Sequence, residues 1–440
     1  MNIISVHASH DGSITIVKDN KFYVHAQIDR FNNIVTNTMP PLKLLIQIKK
    51  LNIKFDLVLI SWLMDSCHWY WQEQLLKFDL LKPDYKTLYY GDKKHHYFHM
   101  SCAKATVGGN KNVVVIDGTG SEQESIFQGN KKIYHSRKNI GDDYEVKTKE
   151  VFNLNHLAFR SCGKLMALAA HKKEIGLFQK EIEGKIKHIM PTKDVTYTGG
   201  VAQNVLANSQ FLDYNNFKID PLCTDQGISL GVMNHHLKNN INLHDNPVYL
   251  GFEPEYNLES FQTTNITPHK VCKLLKKEPV GIFQGRSEQG QRGLGNRSLL
   301  MDATHKDAVN LVNKIKKREW FRPFAPAVLE EYASEYFDIR DNSPYMLYVF
   351  KAKKKIKSVC SIDGTSRIQT VSQKNNKHFY NLLKTFNKMY KIPLLLNTSL
   401  NLAGHTLVED LENLFYMMKY GNLKYCYLPE VNKLITLEKK

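Results

Sequence analysis

No stretch of this chain approaches the ~20 consecutive apolar residues of a membrane-spanning helix, so no such span is expected. The first residues, Met1 to Gly12, contain no basic segment followed by an apolar core, and no secretory signal is expected. The seven cysteines never form a CxxC pair, which disfavours zinc-ribbon and thioredoxin-type chemistry. Scattered thiols suit a reducing compartment, and a cytoplasmic location (the host cytoplasm, if the source is viral) is the expectation. Acidic residues are scarce. There are 43 against 60 basic ones, a formal charge of +17, and this points to anionic partners, either nucleotides and phosphates or a polynucleotide. AT-rich coding, which favours Lys, Asn and Ile, is the alternative source of that excess. A hydrophobic content of 42% excludes a disordered chain, and 440 residues suffice for two domains.

The N-terminal part alternates strand and helix. Ile3–Ala8 reads as a strand ending at His10-Asp11-Gly12. Ser13–Val17 and Lys21–Gln27 follow as a hairpin across Asp19-Asn20. A hundred residues on, the pattern returns: Val113–Ile116, the turn Asp117-Gly118, Gln123–Gln128, Gly129-Asn130 and Lys132–His135. A strand, an acidic turn and a hairpin, used twice, are what actin-like (ASKHA) ATPase folds use to hold phosphates and metal between two lobes. Between the copies a helix is expected over Leu42–Lys50, a buried strand over Phe55–Ile60, a helix over Trp69–Leu81 and a strand over Thr87–Tyr90.

His95 and His99, in a helical run from Lys93 to Ala105, lie four apart on one helical face. That spacing recurs in metal sites, but an aromatic-flanked histidine pair also serves to cap or pack. Asp117, at a strand end, is placed to supply an oxygen. Histidine plus carboxylate without cysteine fits iron, zinc or manganese. Gly163–Ala170 reads as core, with Lys164 the one exception. Gly199-Gly200, between a strand and a helix, either cradles phosphate or simply turns the chain. Asp225 and Gly227 repeat that arrangement. A polar, proline-containing linker spans Asn239–Tyr256.

The second half opens on a buried strand, Pro279–Phe283, and then GRSEQGQRGLGNRS. Three arginines, Arg286, Arg292 and Arg297, stand among four glycines. Arginine's planar fork suits phosphate or carboxylate oxygens, and glycine lets a ligand approach the backbone. A pocket for a small anion is one reading; a loop of solvated charges is the other.

Ten segments in order, SHDGS, HHYFH, VIDGTGS, GKLMALA, GGVAQN, DQGISLG, QGRSEQGQRGLGNRS, KREWFRPFAP, DGTSRIQTV and LLLNTSLN, give the chain its resemblance to the NodU/CmcH-type O-carbamoyltransferases over nearly its whole length. The resemblance implies an α/β protein: an ASKHA (actin-like ATPase, RNase H-like) N-terminal domain, here 1–245, and a YrdC-like α/β domain, here 246–440. It implies that the second domain makes carbamoyl-adenylate from carbamoyl phosphate and ATP, and that the first passes the carbamoyl group to a hydroxyl. By position, the metal ligands are His95, His99, Asp117 and Asp225, with iron the expected ion. His10 and Asp11 match the catalytic His-Asp pair, and His7 and His96 are read as bystanders. Lys316, Arg322, Arg367, Asn397 and Ser399 match positions that hold carbamoyl phosphate and ATP, joined by Arg286, Arg292 and Arg297. ATP with Mg2+ and carbamoyl phosphate are the expected small molecules, and a homodimer the expected assembly. Departures are Gln289-Gly290-Gln291-Arg292-Gly293-Leu294 for Phe-Gly-Pro-Arg-Ala-Leu, Ala167-Leu168-Ala169-Ala170-His171 for Gly-Leu-Ala-Pro-Tyr, and Leu400 for Phe. The ASKHA-like half is short.

Sugars and antibiotic-like metabolites, the acceptors of the resembled family, give no reason for a charge of +17. The composition resembles that of viral proteins, and the expected acceptor is a hydroxymethylated pyrimidine such as 5-hydroxymethylcytosine, in DNA or as a nucleotide. The rivals are a threonylcarbamoyl-type tRNA-modifying enzyme and a non-catalytic nucleic-acid-binding protein. The second-half motifs disfavour the first, and retention of the cationic and metal positions disfavours the second.

Overall fold

The computed structural model describes every residue except 34–38, 63–67, 119–121, 137–138, 155–157, 355 and 438–440. Part of the turn after Asp117 therefore lies outside the described residues. The chain divides into two compact units. The first comprises Met1–Leu165, Lys180–Phe252 and Gln289–Gln291; the second comprises Met166–Gln179, Glu253–Glu288 and Arg292–Lys440.

The first unit holds two five-stranded sheets. One runs β3–β2–β1–β4–β5, with β1 Ile3–His7, β2 Ser13–Lys18, β3 Lys21–Gln27, β4 Phe55–Ser61 and β5 Leu81–Tyr90. The other runs β10–β9–β6–β7–β8, with β6 Asn112–Ile116, β7 Glu124–Gln128, β8 Lys131–Ser136, β9 Lys193–Thr198 and β10 Asn215–Ile219. Each has a three-stranded antiparallel meander whose first strand pairs in parallel with the fourth strand, which in turn pairs in parallel with the fifth. This duplicated topology is the actin-like, RNase H-like fold. It puts His10-Asp11 after β1 and Asp117-Gly118 after β6, at equivalent corners. One expectation fails: the helix begun at His68 stops at Lys77 instead of Leu81, and β5 covers ten residues. Asp79 takes φ +56°, a left-handed conformation that ends a helix. Pro83 is tolerated because β5 is an edge strand.

Two helices of this unit place the site. Helix α1 is His95–Val107 and helix α2 is Ile228–His236. Both are almost wholly buried, packed on several sides, with polar side chains such as Ser101 and Asn234 buried among the apolar ones. A Cβ on Gly231 would lie 2.0 Å from the Phe98 carbonyl oxygen, so only glycine lets α2 approach α1 this closely. Asn234 Nδ2 then donates to the Ser101 carbonyl at 2.7 Å. That approach brings Asp225, just before α2, beside the histidines that open α1.

The second unit is built on an eight-stranded mixed sheet, β11–β20–β19–β12–β13–β18–β14–β17. Its strands are β11 Thr263–Asn265, β12 Val280–Phe283, β13 Arg297–Met301, β14 Ala325–Leu329, β17 Gln369–Val371, β18 Leu394–Ser399, β19 Tyr425–Leu428 and β20 Lys433–Thr436. A separate two-stranded ladder pairs β15 (Phe350–Lys351) with β16 (Thr365–Ser366). The main sheet has two apolar clusters, one around Phe324, Leu396 and Leu414 and one around Phe379, Leu383 and Phe386. This is the α/β architecture expected of the second half. Among the described residues, no helix is long and apolar enough to cross a membrane.

Candidate metal centre and anion pocket

His95, His99, Asp117 and Asp225 form one buried group in the first unit, their ligand atoms all within 4.8 Å of one another. His95 Nε2 lies 3.0 Å from Asp117 Oδ2, 3.1 Å from His99 Nε2 and 3.3 Å from Asp225 Oδ1. His99 Nε2 lies 3.6 and 3.4 Å from the same two oxygens. Ligands about 2.0–2.2 Å from one ion stand about 3.0–3.5 Å apart, so this set fits a divalent cation. Asp117 is oriented from behind, because its Oδ1 accepts the Gly200 N–H at 2.8 Å. Gly199, at φ +92°, makes that turn possible, since a Cβ there would meet the Ile116 oxygen at 2.2 Å. The Gly-Gly pair thus holds the candidate ligand Asp117, and the Gly200 amide is committed to it.

The electrostatics of the group point the same way. Burial opposes charge on His95, but the field of Asp225 and hydrogen bonds to Asp117 and Asp225 overcome it and raise its pKa to about 10. His99 moves up as well: its burial is outweighed by hydrogen bonds to the two carboxylates. Both carboxylates are held below the usual range despite burial, Asp117 by its bonds to the histidines and Asp225 first by the charge on His95. Without an ion the group is a set of His–Asp ion pairs, whereas a metal ligand must be neutral imidazole. Zn2+ titrated into metal-free protein at pH 7 should therefore release protons, read from heats in buffers of different ionisation enthalpy; heats independent of buffer contradict this. The sign for stability follows. The raised histidines stabilise the metal-free fold fully below pH ~6.5 and lose that contribution as pH rises toward ~10.

Three neighbours complete the picture. His96 turns aside to Ser125 at 2.8 Å, and burial followed by the charge on His95 pushes its pKa down to about 3. His10 Nε2 stands 3.3 Å from Asp225 Oδ2 and is 30% exposed, so it faces both the group and solvent. Asp11 follows at φ +55° in the same turn. His7 is fully buried, its pKa pushed down to about 3 chiefly by burial, and its Nε2 is 4.0 Å from Asp225 Oδ2.

In the second unit, five cations converge. Arg367 is held well below its ordinary value by burial and then by Arg292, Arg318 and Arg322. Arg318 is pushed down to about 9 by burial, Arg322 and Arg292, and Lys316 falls well below its ordinary value through burial, Arg318 and Arg322. Guanidinium stays charged in proteins, so partly buried cations that repel one another leave a pocket suited to an anion. Lys316 is buried, while the four arginines are only half-buried and so remain reachable. Arg318 had gone unnoticed in the sequence, although it sits inside KREWFRPFAP, two residues after Lys316.

The surrounding residues set the pocket's shape. Lys316 Nζ donates to the Ser399 and Asn401 carbonyls, both at 2.7 Å. Asn397 donates to Gly293 O and Gln369 Oε1, leaving its Oδ1 buried with no hydrogen bond. Gly293 is needed here, because a Cβ would lie 2.7 Å from Ser399 Cα. Two of the loop arginines have partners within the protein. Arg286 pairs with Glu253 at 2.7 Å. Arg297 donates to the Gln284, Gly285, Asn296 and Glu409 carbonyls and lies over the Phe283 ring. It braces the loop from inside. Glu288, fully buried, accepts the N–H groups of Leu294, Asn296 and Arg297 at 2.6, 2.9 and 3.1 Å. Each orphaned buried donor costs ~1–3 kcal/mol, so Glu288→Ala should lose at least ~3 kcal/mol in urea unfolding; an unchanged midpoint contradicts that role.

Residues 271–433 match the family model described as Carbamoyltransferase C-terminus. Nodulation protein NolNO of Sinorhizobium fredii is 32% identical over 277 residues, 54% of this chain and 40% of its own length. Nodulation protein NolO of Bradyrhizobium diazoefficiens is 42% identical over 144 residues, 30% of this chain and 26% of its own. Nodulation protein U of Azorhizobium caulinodans is 30% identical over 234 residues, 50% and 41% respectively. The chain spans less than half the length of these relatives. These matches support the resemblance to the NodU/CmcH-type carbamoyltransferases, most directly over residues 271–433. Among solved structures, the activator of 2-hydroxyisocaproyl-CoA dehydratase from Clostridium difficile with bound ADPNP covers 54% of this chain, and 96% of its own length, at 9% identity and a TM-score of 0.33. MreB5 of Spiroplasma citri bound to ADP covers the same shares at 11% and 0.30. Scores so low carry no argument, and the duplicated sheet topology stands on its own.

Proposed function

We propose that the chain is an ATP-dependent O-carbamoyltransferase working in two steps. The observation that carries this is the convergence of Lys316, Arg292, Arg318, Arg322 and Arg367 in the second unit, beside the unpartnered Asn397 oxygen. The cations suit the phosphates of carbamoyl phosphate and ATP. The Asn397 Oδ1 suits a carbamoyl N–H, the donor that distinguishes this substrate from a bare phosphate. One carbamoyl phosphate, one ATP and one water give carbamoyl-adenylate, phosphate and pyrophosphate. In the first unit an acceptor hydroxyl oxygen then bonds the carbamoyl carbon, and the carbon–oxygen bond to AMP breaks. His10, open to solvent on one side, takes the hydroxyl proton. His95, His99, Asp117 and Asp225 hold a divalent ion, which supplies Lewis-acid stabilisation of negative oxygen when bound. Iron suits this donor set as zinc and manganese do, and Mg2+ accompanies ATP.

The proposed acceptor is 5-hydroxymethylcytosine, in DNA or as a nucleotide. The charge of +17 supports it, because phosphates attract such a surface and neutral sugars do not. A base in duplex DNA has to be flipped out to be reached. The test is incubation with ATP, carbamoyl phosphate and hydroxymethylcytosine DNA or nucleotide, then nucleoside mass spectrometry. A carbamoyl adduct supports the acceptor. Pyrophosphate release without an adduct overturns it and leaves sugars and antibiotic-like metabolites to be assayed.

A further inference from the structure

We propose that His7 Nε2 and Asp225 Oδ2 together seat the acceptor hydroxyl, which makes His7 a substrate-contacting residue. This rests on the transfer step proposed above for the first unit.

His7 is the last residue of β1 and is 1% exposed. The parallel register of β1 and β4 sets it opposite Ser61, whose Oγ lies 3.0 Å from His7 Nδ1. One ring nitrogen is thereby used. The other, Nε2, is buried with no hydrogen-bond partner; Asp225 Oδ2 also makes no hydrogen bond, though His10 Nε2 pairs with it at 3.3 Å. His7 Nε2 and Asp225 Oδ2 face one another at 4.0 Å, too far for a hydrogen bond between them. Buried polar atoms without hydrogen bonds are costly, and two that share one gap mark the place of a third group.

The chemistry of that group follows from the donors and acceptors. An oxygen about 2.8 Å from both atoms sees them at roughly a right angle, which a tetrahedral oxygen accommodates. Ser61 Oγ has two outlets for its proton, the Val6 carbonyl at 3.4 Å and His7 Nδ1. If it donates to Val6, His7 Nε2 is a bare acceptor and requires a donor. If it donates to Nδ1, Nε2 carries the hydrogen and requires an acceptor. A hydroxyl fits the second case fully, accepting from His7 and donating to Asp225; in the first its one proton goes to His7 or to Asp225. A carbonyl oxygen cannot satisfy Asp225, and an ammonium cannot accept from His7. Asp225 then divides its oxygens. Oδ1 faces His95 and His99 at 3.3 and 3.4 Å, and Oδ2 faces His7 and His10. His10 stands on the exposed side of the same oxygen, where a proton can leave.

The test uses the full chain carrying its metal ion, with His7→Phe to fill the space without polar atoms and His7→Gln to restore one near the Nε2 position. Pyrophosphate formation and bound metal should be unchanged in both. Steady-state AMP release, with water or glycerol accepting the carbamoyl group, should fall by about tenfold or more in His7→Phe, the loss of one hydrogen bond to the reacting group. His7→Gln should recover much of it. Unchanged AMP release in His7→Phe overturns the proposal, and so does a parallel loss of metal, which would make His7 structural. A crystal structure of the metal-loaded chain gives a reading independent of activity. A water or polyol oxygen within hydrogen-bond distance of both His7 Nε2 and Asp225 Oδ2 is expected. An empty gap, or His7 bound to the ion, overturns the proposal. If the natural chain forms no pyrophosphate, the two-step function fails, and this structure alone decides the role of His7.

Discussion

His99→Ala should abolish stoichiometric metal binding and lower carbamoyl transfer by more than ~100-fold, the upper range for losing even an outer partner of a metal ligand. Each histidine nitrogen already lies 3.0–3.6 Å from the other and from an oxygen of each carboxylate, and the group is held there from outside. Gly200 fixes Asp117, and the close packing of α2 on α1 at Gly231 fixes Asp225 against the histidine pair. Removing His99 leaves one imidazole with two carboxylates in a buried site. Pyrophosphate formation, assigned to the second unit, should persist. Metal analysis and single-turnover product assays on the same preparation separate the two effects. One bound ion per chain in His99→Ala, after removal and readdition of metal, contradicts the ligand assignment.

Arg367→Ala should raise the KM for carbamoyl phosphate by more than ~10-fold, since a charge-assisted contact is worth ~1.5–3 kcal/mol. The second sign is opposite in direction. After burial, Arg292, Arg318 and Arg322 depress Arg367, so removing Arg367 relieves repulsion in the empty pocket. The variant should therefore be no less stable than the natural chain without ligand, yet gain less from added pyrophosphate. The natural chain should gain ~2.7 kcal/mol at a hundredfold excess over Kd. Thermal unfolding with and without pyrophosphate measures both. Equal stabilisation of the two proteins contradicts a shared anion pocket.

Much of this fold was legible because its signals are local. Acid-Gly turns after β1 and β6 and the tight turns Asp19-Asn20 and Gly129-Asn130 mark the duplicated meanders without any tertiary information. The Leu81–Tyr90 strand was half missed because an edge strand is exposed on both faces and loses its alternating apolar pattern. His95 and His99 were readable from helical spacing, whereas Asp225 needed the resemblance. What joins Asp225 to them is a contact between helices over a hundred residues apart, permitted by the missing side chain of Gly231. The arginine loop shows the limit most clearly. Arg286, Arg292 and Arg297 look alike in sequence, yet they respectively pair with Glu253, join the pocket and brace the backbone. Which fate each meets depends on where the glycines turn the chain and on the three N–H groups gathered by Glu288. Arg318 escaped notice because it stood among lysines in a charged run; His7, in a strand with apolar neighbours, was read as a bystander.

The central claim is a carbamoyl-activating pocket coupled to a hydroxyl-directed transfer site. The most direct measurement is pyrophosphate release by the full chain from ATP, with and without carbamoyl phosphate. The account predicts release that requires carbamoyl phosphate, falls by more than ~10-fold at subsaturating carbamoyl phosphate in Arg367→Ala and persists in His99→Ala. Release at the same rate without carbamoyl phosphate, or none from metal-replete natural protein under any condition, would contradict it.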